Sequence, residues 1–205
     1  MVAMLDVAGF ILVGGRSSRM GKDKSRLLFS GQTAVDRIAT ELRSATAQVF
    51  LVGSGYEEAA SDLEMVPDTH ERWGALGGIH AALGAGRADW ALIVACDLPF
   101  VTRDLFSRLQ TLSQRESPDA VVPIQSDGRP QPLCALYRCA PCLLEAERLI
   151  ARGEHTPRAL LANVKTRWVQ PEELVDLPGA ENFFFNVNTP QDYERAKQIC
   201  QNRLQ

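Results

Sequence analysis

The sequence has no apolar run approaching the 18 or more residues of a membrane span. Its opening stretch, MVAMLDVAGFILVGG, lacks a basic n-region and a small-residue cleavage site, so it reads as a buried strand, not a leader. There is no internal repeat and no low-complexity tract. Nor is there an excess of positive charge: 22 Lys and Arg against 25 Asp and Glu argue against a broad nucleic-acid surface. The five cysteines are odd in number and irregularly spaced, which disfavours a disulfide framework and suits reduced thiols in a cytoplasmic protein. Cys139-Ala-Pro-Cys142 has no second cysteine pair at zinc spacing and is expected to place two thiols on a surface helix. His70, His80 and His155 are scattered, with no Ser or Cys nucleophile suitably placed, which argues against a histidine-based triad.

What is present is globular. A chain of 205 residues, 45% hydrophobic and 23% charged, suits one domain over 1–205 that buries roughly 70% of its unfolded surface. Apolar runs at Ala8–Val13, Gln48–Val52, Glu64–Pro67, Trp90–Ala95, Ala120–Ile124, Leu133–Tyr137 and Arg167–Val169 read as strands, several too uniformly apolar to have a wet face. Val35, Ile38, Ala39, Leu42 and Ala45 form a helical stripe between them, and Leu105, Leu109 and Leu112 form another behind a Thr102 cap. Thr189, Pro190 and Asp192 announce a last helix whose Tyr193, Ala196 and Ile199 face inward. Loops are expected at Gly53–Asp62, Ser113–Pro118, Gln125–Pro132 and Val175–Glu181. The alternation implies crossovers and a mostly parallel α/β sheet.

Positive charge is concentrated in one place. Phe10–Leu28 runs from an apolar strand into Gly14-Gly15 and then Arg16, Arg19, Lys22 and Lys24. Glycines let backbone N–H groups approach an anion, and the cations offset a triphosphate. Two familiar nucleotide patterns fail. A P-loop would need Gly at Arg16 and Ser or Thr at Asp23, and a dinucleotide fingerprint would need Gly at Arg16.

LxGGxSxRMGxDK, followed by ACDLPFV and NVNTPQD, resembles the nucleotidyltransferase family that contains the molybdenum cofactor guanylyltransferase; the likeness runs from about Ala8 to Ile199. It implies a Rossmann-like three-layer sandwich of the nucleotide-diphospho-sugar transferase type, with a nucleotide-binding part over about 8–100 and an acceptor-binding part over about 101–190. The glycine loop should hold phosphates at the end of the first strand, with Arg19 and Lys24 on the β and γ phosphates and Lys22 either helping or pointing to solvent. The backbone of Leu12, Val13, Gly14 and Gly15 should face the nucleotide, and Gly14 leaves room for a purine.

Asp97 closes the apolar run DWALIVACD. A carboxylate there must lie at the sheet's edge or be paired. Mg²⁺, which takes one or two carboxylates plus phosphate oxygens, would supply the partner; a cap for the following turn is the other reading. Asn186 and Asn188 are carried over from the family as approaching the acceptor and the metal, against a plain capping turn. Asp68 and Gly77, in a loop that opens into a helix carrying Ile79, Ala82 and Leu83, are carried over as nucleotide contacts, against a ligand-free helix start. Gly53 stands where such guanylyltransferases often carry a nucleotide-contacting Asn, so one side-chain amide is missing. Arg129, in the loop Asp127–Pro132, is a candidate for the acceptor phosphate or an exposed turn arginine.

The resemblance implies Mg²⁺-dependent transfer of GMP from GTP to molybdopterin carrying molybdenum, with transient contacts to cofactor-biosynthesis proteins or molybdoenzyme chaperones. No nucleic acid or membrane is expected as a partner. LVGG is nearer the guanylyl type than the LAAG of cytidylyl relatives. The alternatives are a cytidylyltransferase on the same cofactor, a sugar-phosphate or polyol-phosphate nucleotidyltransferase, and an idle nucleotide-binding regulator.

Overall fold

A computed structural model describes residues 5–14, 27–53, 62–68, 70 and 73–202. In chain order the elements are β1 (Val7–Leu12), β2 (Leu28–Phe29), β3 (Gln32–Thr33), α1 (Ala34–Arg43), β4 (Gln48–Gly53), β5 (Glu64–Pro67), α2 (Gly74–Gly84) and β6 (Trp90–Ala95). Then come α3 (Arg103–Ser113), β7 (Ala120–Pro123), β8 (Cys134–Arg138), α4 (Cys139–Ala151), α5 (Pro157–Asn163), β9 (Thr166–Val169) and α6 (Pro190–Asn202).

Seven of these strands form one sheet in the order β5-β4-β1-β6-β8-β7-β9. β8 alone runs against the others, pairing antiparallel with β6 and β7. The remaining pairs are parallel, in register Phe10↔Phe50 and Phe10↔Ile93 at the centre. Alternating side chains send Ile11, Leu51, Leu92 and Leu136 to one face, under α1 and α3, and Phe10, Phe50, Ile93 and Tyr137 to the other, under α2, α4 and α5. That is why the central runs are apolar throughout: both faces are covered. The result is the expected three-layer α/β sandwich with a mostly parallel sheet.

The strands meet their expected ranges to within about one residue at either end, and the caps hold. Thr102 Oγ1 accepts from Leu105 N–H, and Thr189 Oγ1 accepts from Asp192 N–H. Three features depart from expectation. The β2–β3 hairpin is new, and with α6 it builds a third small core of Leu27, Phe29, Phe100, Val187 and Ala196. α5 also has no counterpart among the expected elements, and α4 extends to Ala151 a helix expected only at Cys139 and Cys142. Finally, Cys142 is not a surface thiol: it is fully buried, its Sγ 3.2 Å from the Asp119 carbonyl, and burial pushes its pKa up to about 12. Cys139, partly buried, is pushed up to about 12 as well. Both thiols thus lack the lowered pKa of reactive cysteines, and among the described residues no group of three or more His, Cys, Asp or Glu could hold a metal ion.

Candidate active site

Six parallel strands end on the same edge of the sheet, and the sequence-predicted residues within the described chain gather along it. Gly14 follows β1, Gly53 ends β4, Asp68 follows β5, Asp97 follows β6 and Arg129 lies in the loop after β7. Between β1 and β6 the chain changes direction of travel across the sheet, since β4 and β5 lie to one side and β8, β7 and β9 to the other. Ligands of open α/β sheets sit at such a switch, beyond the carboxyl ends of the strands.

At the switch the backbone is already tied together. Val13 N–H donates to the Val52 carbonyl at 2.8 Å, and Cys96 N–H donates to the Leu12 carbonyl at 3.1 Å. Val13 has its side chain in the core, whereas Gly14 is exposed with φ 97°, a conformation that favours glycine. Asp97 is half-buried two residues past β6, and its carbonyl accepts from Val187 N–H at 2.9 Å. That bond brings the Asn186–Asn188 loop to Asp97, 90 residues away in sequence. Val187 is buried, Asn186 beside it is exposed, and Asn188 is half-buried. Capping of α6 falls to other groups: Asp192 Oδ2 accepts from the N–H of Asn188 and of Thr189 at 3.0 and 2.8 Å. Burial opposes ionisation of Asp192, but these N–H groups, the Thr189 hydroxyl and Arg195 hold its carboxyl below the usual range.

Beside the switch, Asp68 is half-buried and folds back on its own chain, its Oδ1 accepting from His70 N–H at 2.8 Å. Gly77 and Gly78 lie inside the first turns of α2 instead of in a loop before it. A Cβ on Gly77 would stand 2.5 Å from the His70 carbonyl oxygen and 3.2 Å from Asp68 Oδ1, so α2 can approach the Asp68–His70 turn only as glycine. Gly53 is stricter still. At φ 142°, its Cβ would lie 2.0 Å from the Val13 carbonyl oxygen, so no side chain fits between β1 and β4 here without moving backbone.

Arg129 is exposed and paired with Asp127 at 2.5 Å, a contact that holds the Asp127 carboxyl low. Its loop borders a cavity of about 700 Å³ that Gln125, Leu174, Phe184, Phe185 and Arg195 also line. The Arg195 guanidinium lies over the Phe185 ring, 5.5 Å from its centroid. Sequence reasoning missed these side chains. The signal was the run Phe183–Phe185 immediately before NVN, an apolar triplet inside a loop region. Gly15, Arg19 and Lys24 lie outside the described residues.

Residues 9–168 match the model of the MobA-like NTP transferase domain. The chain belongs to that family. This nucleotidyltransferase is 34% identical over 200 residues to a probable molybdenum cofactor guanylyltransferase of Pelotomaculum thermopropionicum, covering 97% of this chain and 96% of the relative. It is 32% identical over 204 residues to a probable molybdenum cofactor guanylyltransferase of Bacillus cereus, covering 95% and 98%. Among solved structures it superposes on molybdopterin-guanine dinucleotide biosynthesis protein A from Archaeoglobus fulgidus with a TM-score of 0.82 at 26% identity, over 95% of this chain and 99% of the other. A 2-C-methyl-D-erythritol 4-phosphate cytidylyltransferase from Thermus thermophilus, 17% identical over 94% of this chain and 98% of the other with a TM-score of 0.69, shares the fold. Among the described residues of this nucleotidyltransferase no helix is long and apolar enough to cross a membrane.

Proposed function

We propose that this enzyme transfers GMP from GTP to the terminal phosphate of molybdenum-carrying molybdopterin, releasing pyrophosphate and yielding the guanine dinucleotide cofactor. The observation that carries the reading is the hydrogen bond from Val187 N–H to the Asp97 backbone carbonyl, which ties the NVN loop to an aspartate at the switch point. The names of the relatives at 34% and 32% identity support the choice of guanylyl and of the acceptor. In this reading the nucleotide is held by residues within 8–100, the acceptor by residues within 101–190, and the whole chain is one domain.

The donor set fits Mg²⁺: Asp97 is a half-buried strand-end carboxylate, and Val187 bonds to its backbone the loop that carries half-buried Asn188, so a carboxylate and an amide supply hard oxygens of the kind Mg²⁺ takes together with phosphate oxygens and water. When bound there the ion would neutralise charge on the phosphates. The chain's own task is alignment. An oxygen of the acceptor phosphate attacks the α-phosphorus, and the bond to the bridging oxygen of pyrophosphate breaks, with Arg19 and Lys24 assigned to the leaving phosphates. Gly53 excludes the side-chain amide common at that position among guanylyltransferases, so the base meets backbone there, at Val13 and Gly14. The cavity lined by Phe184, Phe185 and Arg195 is the acceptor site, its phenyl rings suited to a flat heterocycle and Arg195 to its phosphate.

Turnover of four nucleoside triphosphates with purified molybdopterin cofactor and Mg²⁺ tests the reading. GTP should exceed CTP by at least about a hundredfold in kcat/KM, roughly 2.7 kcal/mol. Equal use of CTP would leave a nucleotidyltransferase and remove the guanylyl assignment.

A further inference from the structure

All three histidines of this chain gather about the turn that follows β5 and the start of α2, His155 from much further along the sequence. His70 lies in that turn and His80 on α2, with their rings edge to face and centroids 4.8 Å apart. Trp73, at the start of α2, donates its backbone N–H to the His70 carbonyl at 2.8 Å, and its ring stacks on the exposed ring of His155 at 4.1 Å. The turn is therefore gripped three ways: by Asp68 on the His70 amide, by Gly77 under the His70 carbonyl, and by His80 on the His70 ring.

One atom in this arrangement needs a reason. His80 Nδ1 is buried and has no hydrogen-bond partner among the described residues. An unpaired polar nitrogen in the interior is a cost that a phenyl ring of similar shape would not carry, and such groups call for a role. The environment keeps the ring neutral: burial first, then His70, hold its proton affinity below the ordinary imidazole value of 6.5, against the opposing pull of Glu147 on α4 and of Asp68. A proton gained by Nδ1 would find no acceptor and would add charge beside His70.

We propose that His80 is a positioning residue for the Asp68–His70 turn, and that its ring contact with His70 makes nucleotide binding at this turn acid-labile. This rests on the reading of Asp68 as a nucleotide contact. Neutral His80 braces the turn. As pH falls below about 6.5, the opened form with protonated His80 gains weight, the brace is lost, and the Asp68 carboxylate is no longer held in place.

The test is calorimetry of GTP with Mg²⁺ at pH 7.5 and 5.5 on wild type, His80→Phe and His80→Leu. Wild type should weaken about tenfold on acidification beyond the change in His80→Phe, which keeps the ring and removes the proton; titration of the ligand's own phosphates cancels in that comparison. At pH 7.5 the Leu variant should bind several-fold more weakly and the Phe variant should be rescued to within about twofold of wild type. Parallel acid losses in wild type and Phe variant would overturn the proposal, as would failure of Phe to rescue. Amide exchange separates this from failure of the nucleotide reading. If none of the proteins binds GTP at pH 7.5, that reading falls, yet protection of the His70 and Trp73 amides must still drop about tenfold at pH 5.5 in wild type and not in the Phe variant. Equal protection in both would end the proposal on its own.

Discussion

The two halves of the ligand edge are built from different materials. Around β5, β4 and β1 the contacts are short and mostly to backbone, with Val13, Gly53, Asp68, His70 and Gly77 packed so closely that two positions exclude a Cβ. Around β7 and β9 the edge is a cavity of about 700 Å³ whose walls are long side chains, and its two arginines lie exposed. Asp97, after β6, stands between them. A ligand part common to every turnover, the triphosphate and its sugar, suits the rigid half. A second substrate that must enter and leave as a larger product suits the adaptable one.

The largest effect should come from the residue shared by both halves. Asp97→Asn removes the charge assigned to Mg²⁺ while keeping the shape of the side chain, and its backbone carbonyl still accepts from Val187. Turnover should fall at least about a hundredfold, roughly 2.7 kcal/mol of barrier, with little change in Tm. Retention of more than about a tenth of the wild-type rate at saturating Mg²⁺ would take Asp97 out of the metal site.

Next is Gly53→Asn, which installs the side chain common among guanylyltransferases. On family pattern alone it should improve nucleotide binding. The geometry predicts the reverse, because the Cβ would stand 2.0 Å from the Val13 carbonyl at φ 142°. The strain should cost about 1–3 kcal/mol, a drop of roughly 2–10 °C in Tm, and GTP affinity should fall with it. A variant as stable as wild type that binds GTP more tightly would show that β1 and β4 part easily here, and the contrast between the halves would lose its basis.

The same contrast explains what was legible in the sequence. Buried strands and capped helices leave patterns with fixed periods, so the runs at Trp90–Ala95 and Gln48–Val52 and the caps Thr102 and Thr189 could be read directly. A backbone-built site also leaves a trace, since close approach or a positive φ favours glycine: Gly53 and Gly77 stand at close approaches, and Gly14 has φ 97°. A cavity lined by side chains leaves none. Phe184, Phe185 and Arg195 come together only because Val187 bonds to Asp97 and α6 turns back over the edge, which no spacing along the chain encodes. The meeting of His70 and His80 was hidden for the same reason: ten residues apart, they touch because Gly77 lets α2 approach the turn. Only the Cys139–Cys142 start of α4 was legible, because the helix follows β8 directly, with no turn residues between them.

The smallest expected effects separate the two arginines of the cavity. Arg195 lies over the Phe185 ring, and although it contributes to the charge felt by Asp192, that carboxylate is bonded to the N–H groups of Asn188 and Thr189. Among the described residues no hydrogen bond or ion pair takes up the Arg195 fork, which leaves it to a phosphate. Arg129 is already engaged by Asp127 through its Nε and its terminal nitrogen, at 2.6 and 2.5 Å. A new anion would have to compete with that carboxylate in open solvent, where a charge pair contributes little. Arg195→Ala should accordingly raise KM for the acceptor about tenfold while leaving the Kd of GTP within about twofold, and Arg129→Ala should change the same KM by less than about threefold. Steady-state kinetics at saturating GTP, with direct GTP titration as the control, reads both. If Arg129→Ala proved the more damaging, the Asp127 pair would have to open on binding, and the cavity mouth rather than its aromatic wall would hold the phosphate. If either variant weakened GTP as much as the acceptor, the division of the ligand edge into two halves would be wrong.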